Sequence, residues 1–515
     1  MMRRMSSKFL ALVVSLCLMG IMGTVSAYDG VPETIKIGLF YASRAKSACK
    51  ITATGGMSLS VRDDSGGYDV TEDTSVSEVD VRKDDRYHAQ LKENFDTYDV
   101  AWTRKEALRK EGYPAFAAYN NGSFKVWVGA YTKESEAQDT AAKLGAEVLG
   151  PSATAVLLWI GDNIWCGVED GAKSLQIDPI SGNLAVEGKA YRGAVRFLRQ
   201  PGNDMAVINV VGFDDYLYGV VPREVTATWN IEAVKAQAVV SRTFAMTQLN
   251  KFSKYGFNLD DTTSSQVYAG ISIEHPNSNK AVDETKGQIV TYNGKPAEVY
   301  FFGSSGGRTA NAEDVWGGGE FPYLKSVEDP YENPDEATNA RWTMTLSPQQ
   351  VKEKLAAKGI DIGEITDITT ETADSGRVLK TVFHGTNGEK VFHKEDVRWT
   401  MGFQSTYFTV SRAGGSNPEF TVMGADGTKK VVTLASSLPL LSASGKGFFP
   451  VPAAVQAAQE IRELNTSGGT GDFIINGRGW GHGVGMSQWG AKGMAENGFT
   501  YKQIIEHYFT GATVS

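Results

Sequence analysis

Apolar and polar residues alternate with a period of two through residues 34–75, the signature of half-buried strands. That stretch is also rich in Ser, Gly and Asp, so residues 62–80 read as a flexible acidic linker. From residue 84 the period changes repeatedly. A strand is expected at Tyr87 to Leu91, a helix at Arg104 to Lys110 and a turn at Asn120-Asn121-Gly122. A strand at Phe124 to Val128 and a helix at Glu134 to Leu144 follow. Residues 155–210 are strand-rich, with runs at Ala155 to Gly161, Ile164 to Val168, Leu175 to Ile177, Ala194 to Leu198 and Met205 to Val211. Helical patterns cover 231–250, 348–358, 453–463 and 485–496, with a short last one at Tyr501 to Phe509. Strands are expected between them at Gln288 to Tyr292, Glu298 to Gly303 and around 365–383, and 412–450 reads as a long loop or hairpin. Strands and helices do not alternate as βαβ units. The fold class is therefore α+β, with a mixed or antiparallel sheet around one buried, Ala-rich helix.

That helix follows Glu224. Asn230 or Thr228 can cap it, and Glu232 stands in its first turn, where the macrodipole favours an anion. Ala233, Val234, Ala236, Ala238, Val239 and Val240 put small residues on nearly every face, which predicts tight burial all round. Glu224 sits among Val220, Val221, Val225 and Trp229. A carboxyl desolvated by such neighbours is pushed toward the neutral form, as a general acid requires. The alternative is that Glu224 caps the helix or pairs with Arg223 or Arg242. A second unusual stretch is Gly477-Arg478-Gly479-Trp480-Gly481-His482-Gly483-Val484-Gly485-Met486-Ser487-Gln488-Trp489-Gly490. Glycine at that density suits either a tight turn or a backbone that must come close to a ligand.

These segments resemble the stage II sporulation protein D / amidase enhancer (SpoIID/LytB) family. The matching residues are Val221-Pro222-Arg223-Glu224, Trp229 and Ala236 to Phe244, with Tyr191-Arg192-Gly193, Tyr216-Leu217-Tyr218-Gly219 and Gln266-Val267-Tyr268. Ser304 to Thr309, Glu313-Asp314-Val315-Trp316, Ser375-Gly376-Arg377, Ser405 to Phe408 and the Gly-rich run complete the series, in family order over about residues 185–515. The resemblance implies a lytic transglycosylase acting on peptidoglycan glycan strands denuded of stem peptides, with Glu224 as its single acid/base. It also implies a second role, that of a non-catalytic, glycan-binding enhancer of an N-acetylmuramoyl-L-alanine amidase. Arg242 is then a candidate for touching substrate or holding Glu224, although tight pairing with Glu224 would oppose the acid role. Gln266 and Tyr268 are candidate sugar partners or parts of a polar-capped strand. Ser304, Ser305 and Thr309 offer hydroxyls to N-acetyl or lactyl oxygens. His482 and Gln488 either line the same groove or pin the Gly-rich turn.

Two rival chemistries fail on the residues present. Some members of the family bind zinc near the Ser-Gly-Gly turn, but this chain has no cysteine there, and its six histidines lack ligand spacing. No metal and no cofactor are expected. His384 and His393 are expected side by side on a hairpin. Gly303-Ser304-Ser305-Gly306-Gly307 fits the Gly-x-Ser-x-Gly elbow with His482 downstream. An elbow needs a helix next, and Arg308 to Gly319 carries no helical period.

Arg3, Arg4 and Lys8, the apolar run Phe9 to Gly23 and Val25-Ser26-Ala27 read as a secretory signal over residues 1–27, implying a secreted, cell-wall location with no stable membrane span after cleavage. The chain has 51 basic and 60 acidic residues, net −9, and cleavage would remove three positive charges more. This balance points away from nucleic acid. Cys49 and Cys166 would remain, and their spacing leaves open whether they pair. At 515 residues more than one domain is expected: a β-rich segment and linker at 28–80, a peptidoglycan-binding domain at 81–150 and the catalytic domain at 151–515. The 81–150 assignment rests on Phe124 to Tyr131, Glu136-Ala137 and Leu144, which resemble the SPOR domain. Tyr113, Phe116, Trp127 and Tyr131 could stack on sugar or pack in a core. Trp127 and Tyr131 are the chosen glycan contacts.

Overall fold

A computed structural model of the chain describes residues 28–63, 68–200, 204–337, 339–413, 419–423, 429–433 and 471–515. The expected signal segment, the helix at 453–463 and most of 412–450 lie outside the described residues. The chain forms two compact units, one running to Glu298 and including Thr513–Ser515, the other Val299–Ala512. Both mix antiparallel sheet with helices, an α+β arrangement.

The first unit holds two large sheets. One has seven strands in the order Leu259–Asp260, Thr34–Phe40, Met205–Gly212, Ala194–Arg199, Ser174–Pro179, Met57–Arg62 and Tyr68–Thr74. The other has ten: Lys189–Tyr191, Leu184–Val186, Ala48–Ala53, Glu78–Lys83, Val156–Ile160, Asn163–Glu169, Ala115–Asn120, Ser123–Tyr131, Tyr87–Gln90 and Glu147–Leu149. The segment expected as a linker therefore carries strand at Tyr68–Thr74 and from Glu78 on. Glu78–Lys83 pairs on one side with Ala48–Ala53 and on the other with Val156–Ile160. Val79 and Val81 are buried while Glu78, Asp80 and Arg82 face outward. The period of two was present, but its outer face is charged enough to mimic a linker. The strands of 28–80 interleave with those of 155–212, so they belong to the same layers and not to a separate domain.

Residues 87–149 run strand, helix (Tyr98–Lys110), two strands, helix (Glu134–Leu144), strand. In lateral order the four strands stand fourth, first, third, second. Parallel pairing of Cys166–Glu169 with Ala117–Asn120 joins this group to the larger sheet. Thr97 caps the first helix at Val100 N–H, and Gly145, in the left-handed region at φ 62°, closes the second.

Cys49, Val81, Leu158 and Cys166 form one cross-strand row. The two cysteines are thus three strand spacings apart, about 14 Å, twice the Cα separation of about 7 Å that a disulfide tolerates. Both cysteines are buried and form no disulfide with each other.

The second unit contains a sheet of Arg341–Leu346, Phe473–Arg478 and Phe408–Arg412, and a meander of Ile365–Thr372, Val378–Gly385 and Gly388–His393. Trp342, Leu346, Val351, Phe383, Phe408 and Phe473 are among the side chains of its core. The hairpin at Thr386-Asn387 forms as expected, but its register opposes His384 to Glu389 and His393 to Lys380. The two histidines therefore sit at opposite ends of the ladder and not side by side. His384 is held by Glu389, at 2.7 Å, and by Thr369.

Candidate active site

The strand Met205–Gly212 runs straight into the helix Phe213–Tyr218, then Gly219, then the one-turn helix Val221–Glu224. Pro222 opens that turn, where its fixed φ and missing N–H cost nothing. Gly219 has no alternative here, because a Cβ would stand 2.6 Å from the Tyr268 ring. Val225 then turns extended and ends the helix, leaving Glu224 as its last residue. Asn230 caps the next helix, Ile231–Thr247, by accepting Glu232 N–H at 3.0 Å. Eleven of its seventeen residues are buried, so it is a wedge against which the Glu224 turn is set.

Glu224 is half-buried. Burial pushes its carboxyl up to about 7, against the opposing pull of a hydrogen bond from Val267 N–H and the Arg223 charge. Burial wins because those partners are few: one amide and one exposed guanidinium. A carboxyl near 7 is divided between its acid and base forms at neutral pH.

The flanking residues hold this carboxyl in place. Gln266 is buried, and its Oε1 accepts from Tyr216 Oη at 3.3 Å. Tyr268 is buried too, donating to Asn209 Oδ1 at 2.9 Å and packing on the rings of Tyr216 and Tyr191. Between them Val267 turns its N–H to Glu224. The expectation that Tyr268 offers a face to sugar is thus corrected: its ring is core. Sequence reasoning missed Tyr216, whose phenol is raised well above its ordinary range by burial and then by the Glu224 charge. The signal was present in Tyr216-Leu217-Tyr218-Gly219, two turns before Glu224.

Arg242 is corrected as well. It is fully buried, with Nε and Nη2 on Asp214 Oδ1 at 3.2 and 2.9 Å. Its other donors reach Thr285 O at 2.8 Å, Gln288 O and Val282 O, both at 3.2 Å. These carbonyls lie at and just past the end of the helix Pro276–Glu284, where Val282 O and Thr285 O also accept backbone N–H groups. Arg242 is a staple inside the first unit, and it leaves Glu224 unpaired, as the acid role needs.

In the second unit the Ser304-to-Thr309 turn serves an internal anion. Glu332 accepts from Ser304 Oγ, Ser305 N–H (2.8 Å), Ser305 Oγ (3.0 Å) and Gly306 N–H (3.3 Å). Thr309 Oγ1 accepts Val327 N–H at 2.8 Å. All three hydroxyl residues are buried, which corrects their assignment to sugar oxygens. Backbone donors concentrated in a turn do attract an anion, but the anion is the chain's own. His482 Nδ1 accepts Val484 N–H and Nε2 faces Phe301 O, both at 3.1 Å. Burial pushes its pKa down to about 3. It is a neutral pin of the Gly-rich turn, so it is neither a free sugar ligand nor the base of a serine triad. Gln488 stands half-buried at the start of the helix Gln488–Glu496.

The family model described as Stage II sporulation protein matches residues 201–292, the span that carries Glu224 and its supports. The chain is 32% identical over 371 residues to an amidase enhancer of Bacillus subtilis, covering 66% of this chain and 47% of that protein. It is 30% identical over 337 residues to an uncharacterized protein of Brachyspira hyodysenteriae, covering 64% of this chain and 74% of that protein. It is 29% identical over 360 residues to the stage II sporulation protein D of B. subtilis, covering 67% and 82%. The chain belongs to the SpoIID/LytB family. It spans about half the length of the amidase enhancer it matches.

Outside the segment matched by the SpoIID model, Trp127 is fully buried, stacked on His88 with ring centroids 5.1 Å apart, and donates Nε1–H to Gln90 at 2.8 Å. It is a core residue and not a platform for sugar. Tyr131 shares its hydroxyl with Thr140 at 2.8 Å. Among the described residues of this SpoIID/LytB member, no group of three or more His, Cys, Asp or Glu is placed to hold a metal ion, and no helix is long and apolar enough to cross a membrane.

Proposed function

We propose that the protein is a peptidoglycan lytic transglycosylase that cuts the bond between N-acetylmuramic acid and N-acetylglucosamine in denuded glycan strands. The observation that carries this reading is the half-buried Glu224 carboxyl, raised to about 7 and free of any tight cationic partner. As an acid it gives its proton to the glycosidic oxygen while the C1–O4 bond breaks and oxocarbenium character develops. N-Acetylglucosamine leaves carrying that proton on O4. The resulting carboxylate then takes the proton of the muramoyl C6 hydroxyl, and O6 closes on C1 to give the 1,6-anhydro end. One carboxyl serves both steps, and no water enters the product.

The strand and helix order of residues 87–149 supports a SPOR-like, glycan-binding role for that part of the first unit. With Trp127 internal, recognition there falls to half-buried Tyr131 and other residues. An extracytoplasmic, cell-wall location in sporulation or wall turnover fits the same substrate. A second reading is favoured by the identity to an amidase enhancer: the protein binds glycan and assists a cell-wall amidase without cutting. Incubation of denuded strands with wild type and Glu224→Gln separates them. The lytic reading expects shortened strands from wild type and intact strands from the variant. Intact strands from both, with glycan retained, would favour the enhancer.

A further inference from the structure

Three tryptophans of the second unit are exposed: Trp316 by 44%, Trp399 by 70% and Trp480 by 49%. Indole is the costliest side chain to leave in water, and exposed aromatic groups gathered in one place mark binding surfaces. These three are gathered. Trp316 ends the helix Ala312–Trp316, and its ring lies 4.5 Å from that of Tyr300 and 5.1 Å from that of His482. Trp480 is two residues before His482, fixed by paired backbone bonds with Ser304 at 2.8 and 3.1 Å. Trp399 lies on the helix Asp396–Met401 under the Arg398 guanidinium, 4.8 Å from the ring centre. One carbonyl, Gln404 O, accepts both Arg398 Nε at 3.1 Å and Gly481 N–H at 3.0 Å, and so ties the Trp399 helix to the Trp480 loop. Trp316 and Trp480 therefore border the stretch 480–482, and Trp399 is linked to it through Arg398 and Gln404 O.

We propose that Trp316, Trp399 and Trp480 form a sugar-stacking rim that binds a β-1,4-linked strand of N-acetylhexosamines. This rests on the glycan substrate proposed above. The pattern fits a sugar strand better than a protein partner. The rings stand singly, separated by Arg398, Glu395 and the polar glycine-rich backbone, where a protein dock would show a continuous apolar patch. A pyranose has the matching alternation, an apolar face for the indole and a polar edge for the groups between. Each ring is already stiffened by a neighbouring ring, a guanidinium or a pair of backbone bonds, so little side-chain freedom is lost on binding. The glycine-rich run gains a purpose: without Cβ atoms at 479, 481 and 483, the loop carrying Trp480 lies flat against 302–305 and Arg377.

The test is calorimetric titration of the full chain with N-acetylchitotetraose, repeated with denuded glycan strands. Trp399→Ala and Trp480→Ala are each expected to weaken binding by about tenfold, the usual loss for a truncated aromatic anchor, and the triple variant to abolish it. Trp399→Tyr should keep binding, which separates the loss of a stacking face from a loss of fold. Wild-type binding by the triple variant would overturn the proposal. Loss of a purified amidase with glycan binding intact would also overturn it and make the surface a protein dock. Rim-dependent binding without cleavage by wild type would sink the lytic reading and leave the rim standing.

Discussion

At Glu224 the decisive quantity is the imbalance between desolvation and compensation. A carboxyl with one backbone donor and one solvated cation stays raised, to about 7. Strand cleavage should therefore hold at acid pH and fall as pH rises through about 7, read as kcat/KM against pH. A break at the ordinary carboxylate value of about 4.3 would show that burial does not govern the group. The same shift has a stability sign. The folded form binds its proton more tightly than the unfolded form, so stability falls as pH rises from the unfolded pKa through the folded one. Glu224→Gln removes that loss. Its melting temperature should exceed that of wild type, by a margin that grows from about pH 4.3 through about pH 7 and then levels. Arg242 has the opposite character. Arg242→Ala would leave Asp214 without its buried ion-pair partner and take one donor from each of three carbonyls, and should cost about 3 kcal/mol or more in denaturant unfolding. A loss of cleavage without loss of stability would contradict the staple assignment.

At the scale of elements, local signals were legible and partnerships were not. Glu134–Leu144 was expected with those bounds, and Asn230 was foreseen as a cap, because caps and periodicity are written within a few residues. Glu78–Lys83 was not legible as a strand, since its charged outer face hid the buried Val79 and Val81. Nor was the purpose of the hydroxyl-rich turn, whose anion Glu332 lies 27 residues from Ser305. That turn and Glu332 are mutually dependent. Glu332→Ala should leave two buried hydroxyls and two amides unsatisfied and cost about 3 kcal/mol, while Ser304→Ala alone should cost about 1 kcal/mol. Equal unfolding midpoints for wild type and Glu332→Ala would refute the internal-anion account.

For the whole chain, the family motif singled out Glu224 but not its surroundings. Gln266 and Tyr268 are legible in sequence either as sugar partners or as parts of a polar-capped strand, because they are polar and lie in the motif. In the fold they support Glu224 from behind, through contacts such as Asn209 with Tyr268, 59 residues apart. The exposed indoles went unassigned because sequence does not distinguish an exposed tryptophan from a buried one, as Trp127 and Trp399 show in opposite directions. The central claim is that one half-buried carboxyl cuts the strand and closes the anhydro ring without water. Its most direct test is mass spectrometry of denuded glycan digested in ¹⁸O-water by wild type and by Glu224→Gln. The account predicts 1,6-anhydro-muramoyl ends without ¹⁸O from wild type and no products from the variant. Reducing ends carrying one ¹⁸O, or anhydro ends produced by Glu224→Gln, would contradict it.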